Sequence, residues 1–467
     1  MNHKRESSIE YRQRVMDVIS PTFCAAKWNN ATIWLDWGKT TSCHHPGPHD
    51  IVIKDILKNP AALHNTEQKK SERKQMLNGE RPKGCDYCWK IEDMGPDMVS
   101  DRVFKTNIYE EDLLAKLGVS DPSEDVDLKT LEIAFDRKCN FACSYCGPHF
   151  STHWAVDVKR SGPYIHLKDP FGANYAHDYD FEFPYEDSPI NPYALAFWKW
   201  WPRLSKSLQE LRVTGGEPLL SPNFWELLRF LEQSKREDMD FAVNSNLGLS
   251  DHYIDKLIAS SHKISNFHLY TSCESIGAQA EYIRDGLNYS RFCKNFEKVA
   301  QEGQFKTINM MMTINALCLF GITEFFDQVF EWKNRFGDRS PTFTLNVLRF
   351  PTFMSVLTLS DELKEDVKSE LTRWYQKNKN NPLMLIHEKD SIERLISYLH
   401  KVQQGNEISS PRSIAQKDFR SFFDQYDKRR NKSIINTFPK AFGDWYQAIP
   451  LYTEEDFNEK KTFVSQE

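Results

Sequence analysis

The sequence predicts an α/β protein with a parallel sheet and helices outside it, and three observations carry that reading. Strand-like and helix-like segments alternate from about residue 130 to residue 350. Each helical segment is long enough for a right-handed crossover between parallel strands. The glycine and polar residues that break the pattern fall at the carboxyl ends of strands, where parallel α/β folds gather their sites. At 467 residues the chain exceeds one small core and suits two or three domains. A net charge of −6 argues against a general nucleic-acid surface. No apolar run approaches the roughly 20 residues of a membrane span. The first residues, "MNHKRESSIEYRQRVMDVIS", are polar and helical in pattern with no apolar signal region, which gives the expectation of a cytoplasmic protein.

Taken in order, residues 1–115 differ in character from the rest of the chain. An aromatic run, "KWNNATIWLDWG", precedes the His- and Pro-rich "CHHPGPHD" and a charged helical stretch, which suggests a separate small domain. Residues 116–129, containing "GVSDPSEDVDLK", read as a solvated linker. Between 130 and 350 the strand candidates are "TLEIAFDRKC", "ELRVTGGEPLL", "DFAVNSNL", "SNFHLYTSCE", "KTINMMMTINAL" and "PTFTLNVLRF". The helices between them are "YALAFWKWWPRLSKSL", "NFWELLRFLEQS", "HYIDKLIASS", "NYSRFCKNFEKVAQEG" and "ITEFFDQVFEWKNRFG". Six such units are too few for an eightfold barrel and leave a sheet that is either open or curled toward one. Residues 351–467 show amphipathic helices without a repeat, with "KVQQGNEISSPRS" as a flexible loop.

Ten cysteines in a reducing compartment point to metal binding or catalysis rather than a disulfide framework. Cys139, Cys143 and Cys146 follow the first core strand within eight positions, spaced C-x3-C-x2-C. Thiolates at this spacing suit an iron–sulfur cluster, and three of them on four irons leave one iron open. An open metal position lets a site bind a substrate or cofactor. Upstream, Cys24, Cys43, Cys85 and Cys88 end in a C-x2-C pair, a pattern that also suits structural zinc, with His44, His45 and His49 nearby as mixed ligands. Cys273, Cys293 and Cys318 are scattered and read as buried or idle thiols.

The C-x3-C-x2-C loop resembles the signature of the radical S-adenosylmethionine (SAM) superfamily, and other segments extend the likeness. The family resemblance implies a partial (β/α)6 TIM-like barrel whose [4Fe-4S] cluster, held by Cys139, Cys143 and Cys146, binds SAM through its open iron. One electron then cleaves SAM to a 5′-deoxyadenosyl radical that abstracts hydrogen from a substrate. "TGGEP" is similar to the family's second-strand motif, placing Gly215, Gly216 and Glu217 at the methionyl ammonium. "NSNLG" resembles the segment near the ribose, carried by Asn244, Ser245 and Asn246. "TSCES" with "YIRDG" resembles the fourth-strand segment, with Ser272 and Glu274 on the ribose side and Arg284 at the SAM carboxylate. Cys273 and Glu274 depart from the more usual small residue and aspartate. Tyr145 matches the aromatic position beside adenine.

The N-terminal cysteines, with four residues between Gly38 and Cys43, resemble the SPASM/twitch modules that hold an auxiliary [4Fe-4S] cluster, although those usually follow the core. Four thiolates would close that cluster to substrate and suit electron relay, in an oxidation, an epimerisation or a rearrangement. The resemblance further implies an external one-electron donor of the flavodoxin or ferredoxin kind. The substrate is a small molecule or a residue of a larger one, and neither membrane nor nucleic acid is expected as a partner. The reading from a different class is a non-catalytic metal-binding adaptor with zinc in its N-terminal domain. Between the core cysteines and the first core helix lies a long aromatic stretch, "STHWAVDVKRSGPYIHLKDPFGANYAHDYDFEFPYEDSPINPY". Loops of that length tend to be functional, and it is expected to cap the rim, with His149, Trp154, His166 and His177 as contacts.

Overall fold

The structure, a computed structural model, describes residues 6–169, 176, 185, 190–234, 236–401 and 411–458. Among these the strands are β1 (Asn30–Trp34), β2 (Lys39–Thr41), β3 (His49–Asp50), β4 (Thr130–Ala134), β5 (Ala142–Cys143), β6 (Glu210–Thr214), β7 (Asp240–Ser245), β8 (Phe267–Thr271), β9 (Arg284–Asp285), β10 (Thr307–Ile314) and β11 (Thr342–Val347). The main helices are α1 (Glu67–Leu77), α2 (Asp86–Glu92), α3 (Thr152–Ser161), α4 (Pro192–Ser207), α5 (Pro222–Ser234), α6 (Asp251–Ser261), α7 (Tyr289–Glu302), α8 (Ile322–Phe336), α9 (Asp361–Asn378), α10 (Ile386–Leu399) and α11 (Arg412–Arg430). The six expected core strands are β4, β6, β7, β8, β10 and β11, and the five expected helices between them are α4 to α8. The α/β class and the (β/α)6 order read from the sequence are therefore present, followed by a mostly helical C-terminal part. No helix among the described residues is long and apolar enough to cross a membrane.

The chain divides into two compact units. The first comprises Met1–Asp136, Glu182–Pro218 and Arg236–Ala242. Its strands lie in the order β6-β4-β1-β2-β3. β4 runs parallel to β6, Thr130 facing Glu210 and Ala134 facing Thr214. It also runs parallel to β1, Asn30 facing Thr130 and Trp34 facing Ala134. The aromatic run read as part of a separate 1–115 domain thus supplies a strand paired along its whole length with the first core strand. Ala31 and Ile33 are fully buried there, the burial expected of an interior strand. The segment read as a solvated linker is held as well: Val126 donates its N–H to Asn65 Oδ1 (3.1 Å) and accepts from Asn65 Nδ2 (3.0 Å). α4 begins where Asn191 Oδ1 accepts the N–H groups of Tyr193 (2.9 Å) and Ala194 (3.1 Å), with Pro192 preset for the first turn.

The second unit comprises Arg137–Phe181, Leu219–Lys235 and Val243–Glu467. Its strand order is β11-β10-β8-β7, with β10 parallel to both β8 and β11. The antiparallel pair of β5 and β9 stands apart as a two-residue ladder. The long aromatic stretch is not all loop: its first part forms α3, capped by Ser151, with Trp154, Ala155 and Val158 buried at helical spacing. Most of residues 170–189, including His177, and residues 402–410 lie outside the described residues. The C-terminal helices are joined to the core strands through a buried ion pair. Glu388 on α10 receives Lys333 Nζ of α8 at 2.7 and 2.6 Å, the N–H of Phe343 on β11 at 3.1 Å, and that of Leu385 at 2.9 Å.

Removing one partner of a buried pair strands the other, at a cost of about 3–5 kcal/mol. Lys333→Met is therefore expected to lower the urea midpoint of unfolding clearly. The double substitution Lys333→Met with Glu388→Leu should recover only part of that loss, because the Phe343 and Leu385 N–H groups then lose their acceptor.

Candidate active site

The loop that follows β4 carries Cys139, Cys143 and Cys146, all half-buried, and its backbone is fixed on several sides. Cys143 faces Arg284 in the β5–β9 ladder, and Ala142 faces Asp285. The N–H of Ser144 reaches Ile283 O (2.7 Å), and that of Cys146 reaches Cys143 O (2.9 Å). From α3, Trp154 Nε1 donates to Cys143 O (2.8 Å), and Ser151 Oγ donates to Phe141 O (2.6 Å). Thr152 Oγ1 takes the N–H of Cys139 at 3.2 Å and donates to its carbonyl at 3.3 Å. Gly286, at φ 100°, lets the chain pass where a Cβ would stand 2.6 Å from Asn140 O. Asn246 Nδ2 donates to Asn140 Oδ1 (2.8 Å), so this predicted ribose residue also braces the cysteine loop.

The thiols sit in a mixed field. Burial pushes Cys143 up to about 11, against the pull of the Arg284 guanidinium. Burial and then the neighbouring Cys143 push Cys146 up to about 12. Arg284 is buried and bonded to Glu274, at 2.6 Å from Nη2 and 3.1 Å from Nε, while Tyr145 donates its hydroxyl to the other Glu274 oxygen at 3.1 Å. Ser245 Oγ accepts the N–H of Leu247 (3.1 Å), and Ser272 is half-buried at the end of β8. At the carboxyl ends of β7 and β8, Asn244 Oδ1 and Thr271 Oγ1 are buried with no hydrogen-bond partner among the described residues. Unmet buried acceptors are costly and mark a place for a ligand's donors. Three thiols on one braced loop, with orphaned polar atoms at the strand ends of the same unit, fit an iron–sulfur cluster with a polar ligand beside it.

In the first unit, Gly215 follows β6 at φ 122°, where a Cβ would lie 2.6 Å from Asp136 O. Gly216 donates its N–H to the same carbonyl (3.4 Å), and Glu217 is 1% exposed. The four upstream cysteines come together in this unit, lining one small cavity with Ser42, Lys27, His45, Arg102 and Lys105. Cys85 and Cys88 share a face by their three-residue spacing at the start of α2. Burial, then Cys43 and Cys85, push Cys24 up to about 12. Lys27, 3% exposed, is ion-paired to Glu72. Burial alone would lower it, yet Cys85 and Glu72 hold it above its ordinary value. Ser42 Oγ, also lining the cavity, is 2% exposed and without a partner among the described residues. A cation and an orphaned hydroxyl beside three buried thiols and the half-buried Cys43 fit an anionic group held by thiolates. Of the nearby histidines, His45 stacks on Tyr87 (3.8 Å) and bonds Asp101 (2.7 Å), while His49 bonds Thr66 (2.9 Å). Among the described residues no group of three or more His, Cys, Asp or Glu side chains is placed to hold a single metal ion.

Other expected contacts are placed differently. Trp154 is fully buried and braces the loop rather than facing a substrate. His166 lies 5.5 Å from the Phe457 ring. Sequence reasoning missed Asn140, Gly286 and Arg430. Arg430 lies over the Trp154 and Tyr426 rings (4.6 and 4.1 Å) and pairs with Asp285 at 3.1 Å, beside the ladder that holds Cys143.

The radical SAM superfamily matches residues 133–324. No curated protein matches the chain. Among solved structures the chain is similar to native anSMEcpe with bound AdoMet and Cp18Cys peptide, at 12% identity and a TM-score of 0.32, covering 54% of this chain and 61% of that one. It is also similar to Streptococcus suis SuiB bound to S-adenosylmethionine, at 12% identity and a TM-score of 0.34, covering 68% and 65%. TYW1 with a lysine-pyruvate adduct bound is a third, at 14% identity and a TM-score of 0.27, covering 54% and 74%. The chain thus spans less than two thirds of the length of the first two. The family match opens inside β4 and closes in α8, taking in the cysteine loop and the strand ends beyond it: the chain carries a radical SAM domain at residues 133–324.

Proposed function

We propose that the chain is an enzyme that cleaves SAM reductively at a [4Fe-4S] cluster held by Cys139, Cys143 and Cys146, and abstracts hydrogen from an organic substrate. The observation that carries this reading is the braced loop of three half-buried thiols within the radical SAM domain. When bound, the cluster supplies the electron that converts SAM to methionine and a 5′-deoxyadenosyl radical. The chain's own residues bind and orient. The backbone partners of the loop hold the three sulfurs before metal arrives, so less order must be gained on loading. Asn244 Oδ1 and Thr271 Oγ1 accept hydrogen bonds from ligand hydroxyls, which explains why a folded chain tolerates them unpaired. Following the family pattern, Gly215, Gly216 and Glu217 take the methionyl ammonium, Ser245, Asn246 and Ser272 the ribose side, and Tyr145 the adenine. As in cofactor enzymes generally, the protein positions the reacting group and excludes side reactions.

The same reading assigns Cys24, Cys43, Cys85 and Cys88 to an auxiliary [4Fe-4S] cluster with a relay role. Burying an anionic cluster requires nearby cations and hydrogen-bond donors, and Lys27 and Ser42 meet that need. A flavodoxin- or ferredoxin-like donor delivers the electrons, and the substrate is a small molecule or a single residue of a larger one.

Anaerobically reconstituted protein is expected to hold about eight irons, four per cluster, with broad visible absorption. Given a reductant, it should form 5′-deoxyadenosine from SAM. Cys143→Ala should fall to about four irons and lose SAM cleavage entirely. Zinc in place of iron, with no cleavage, would overturn the proposal. Cys85→Ala should also lose about four irons but keep SAM cleavage. Unchanged iron in that variant would refute the auxiliary assignment.

A further inference from the structure

Cys143 and Arg284 are facing residues of the β5–β9 ladder, so the backbone sets their separation. Arg284 is 5% exposed, and its guanidinium divides its donors in two directions. Nε and Nη2 both point at Glu274 Oε2, at 3.1 and 2.6 Å. Nη1 lies 3.8 Å from Cys143 Sγ, within reach of an N–H···S bond. Glu274, 1% exposed, has its other oxygen occupied by the Tyr145 hydroxyl at 3.1 Å. The Tyr145 ring lies 5.5 Å from the same guanidinium. Tyr145, Glu274, Arg284 and Cys143 therefore form one chain of polar contacts, buried at Glu274 and Arg284. The family pattern would send Glu274 to the ribose and Arg284 to the SAM carboxylate. In this chain the two side chains bond each other, and Arg284 also reaches the Cys143 sulfur.

We infer that Arg284, braced by Glu274, is a positioning residue that donates a hydrogen bond to the Cys143 thiolate and raises the reduction potential of the core cluster whether or not SAM is bound. The inference rests on the assignment of that cluster to Cys139, Cys143 and Cys146. Hydrogen bonds to cluster sulfurs and local net charge are the protein's main levers on such a potential. A cation and an N–H at the sulfur stabilise the reduced, more negative state. Glu274 moderates the effect by neutralising most of that charge. The pair thus sets an intermediate potential, and its two members pull in opposite directions.

The test is an EPR-monitored redox titration of full-length, iron-loaded protein without SAM, followed by SAM addition to the reduced sample. The signal that responds to SAM belongs to the core cluster. Arg284→Met should move that midpoint to more negative potential, and Arg284→Lys, which keeps the charge but not the fork, should move it less. Glu274→Gln should move it the other way. An unmoved midpoint in Arg284→Met, with weakened SAM binding alone, would overturn the inference, as would a shift of the same sign in Glu274→Gln. If no signal in the unsubstituted protein responds to SAM, the failure lies in the cluster assignment itself.

Discussion

The site depends on how one backbone stretch, residues 139–146, is held in place with only the two-residue β5 as regular structure of its own. Buried peptide groups must find partners, and a loop that presents three thiols cannot spend its groups on a helix or a long strand. The β5–β9 ladder, the Trp154 indole, the Ser151 and Thr152 hydroxyls and the Asn140–Asn246 contact supply the partners instead. Cys143 is the most constrained of the three cysteines. Its carbonyl is taken from α3, its backbone is paired with β9, and its sulfur faces a guanidinium.

The C-terminal helix α11 extends that support. Arg430, 7% exposed in its side chain, reaches Asp285 on β9 and lies against Trp154, so a residue near the end of the chain touches both supports of the cysteine loop. Arg430 also donates to the Tyr164 hydroxyl at 2.6 Å, and Tyr426 donates to Tyr282 O at 3.0 Å. A helix that the sequence marks only as amphipathic is thus packed against the elements that hold the cysteine loop. Arginine suits the position because its flat guanidinium stacks on aromatic rings while its edge meets a carboxylate.

The features legible in the sequence were those written in local pattern. The six core strands and five helices are marked by alternating apolar runs and crossover lengths, and they stand where the pattern puts them. The cysteine spacing and "TGGEP" are local motifs tied to chemistry. The supports of the loop were not legible, because each joins positions far apart in the chain. Trp154, read as a possible substrate contact, is spent on Cys143; Gly286 and Asn140 matter only because they pass within a few ångströms of each other. The parallel pairing of β1 with β4 joins segments a hundred residues apart, and "KWNNATIWLDWG" carries no local sign of it. Motif position assigns Glu274 and Arg284 to SAM, whereas their mutual ion pair depends on the fold of the helix Gly277–Ile283 between them.

Three sulfurs on a braced loop, rather than four, are the feature on which the functional account turns, since in the proposed cluster the missing thiolate would leave an iron free for SAM. Electron–nuclear double resonance on the reduced, iron-loaded protein, with SAM carrying an isotopically labelled amino nitrogen, tests that claim most directly. A hyperfine coupling between the labelled nitrogen and the cluster signal is the predicted result. A cluster signal that shows no coupling to the label under saturating SAM would contradict the account.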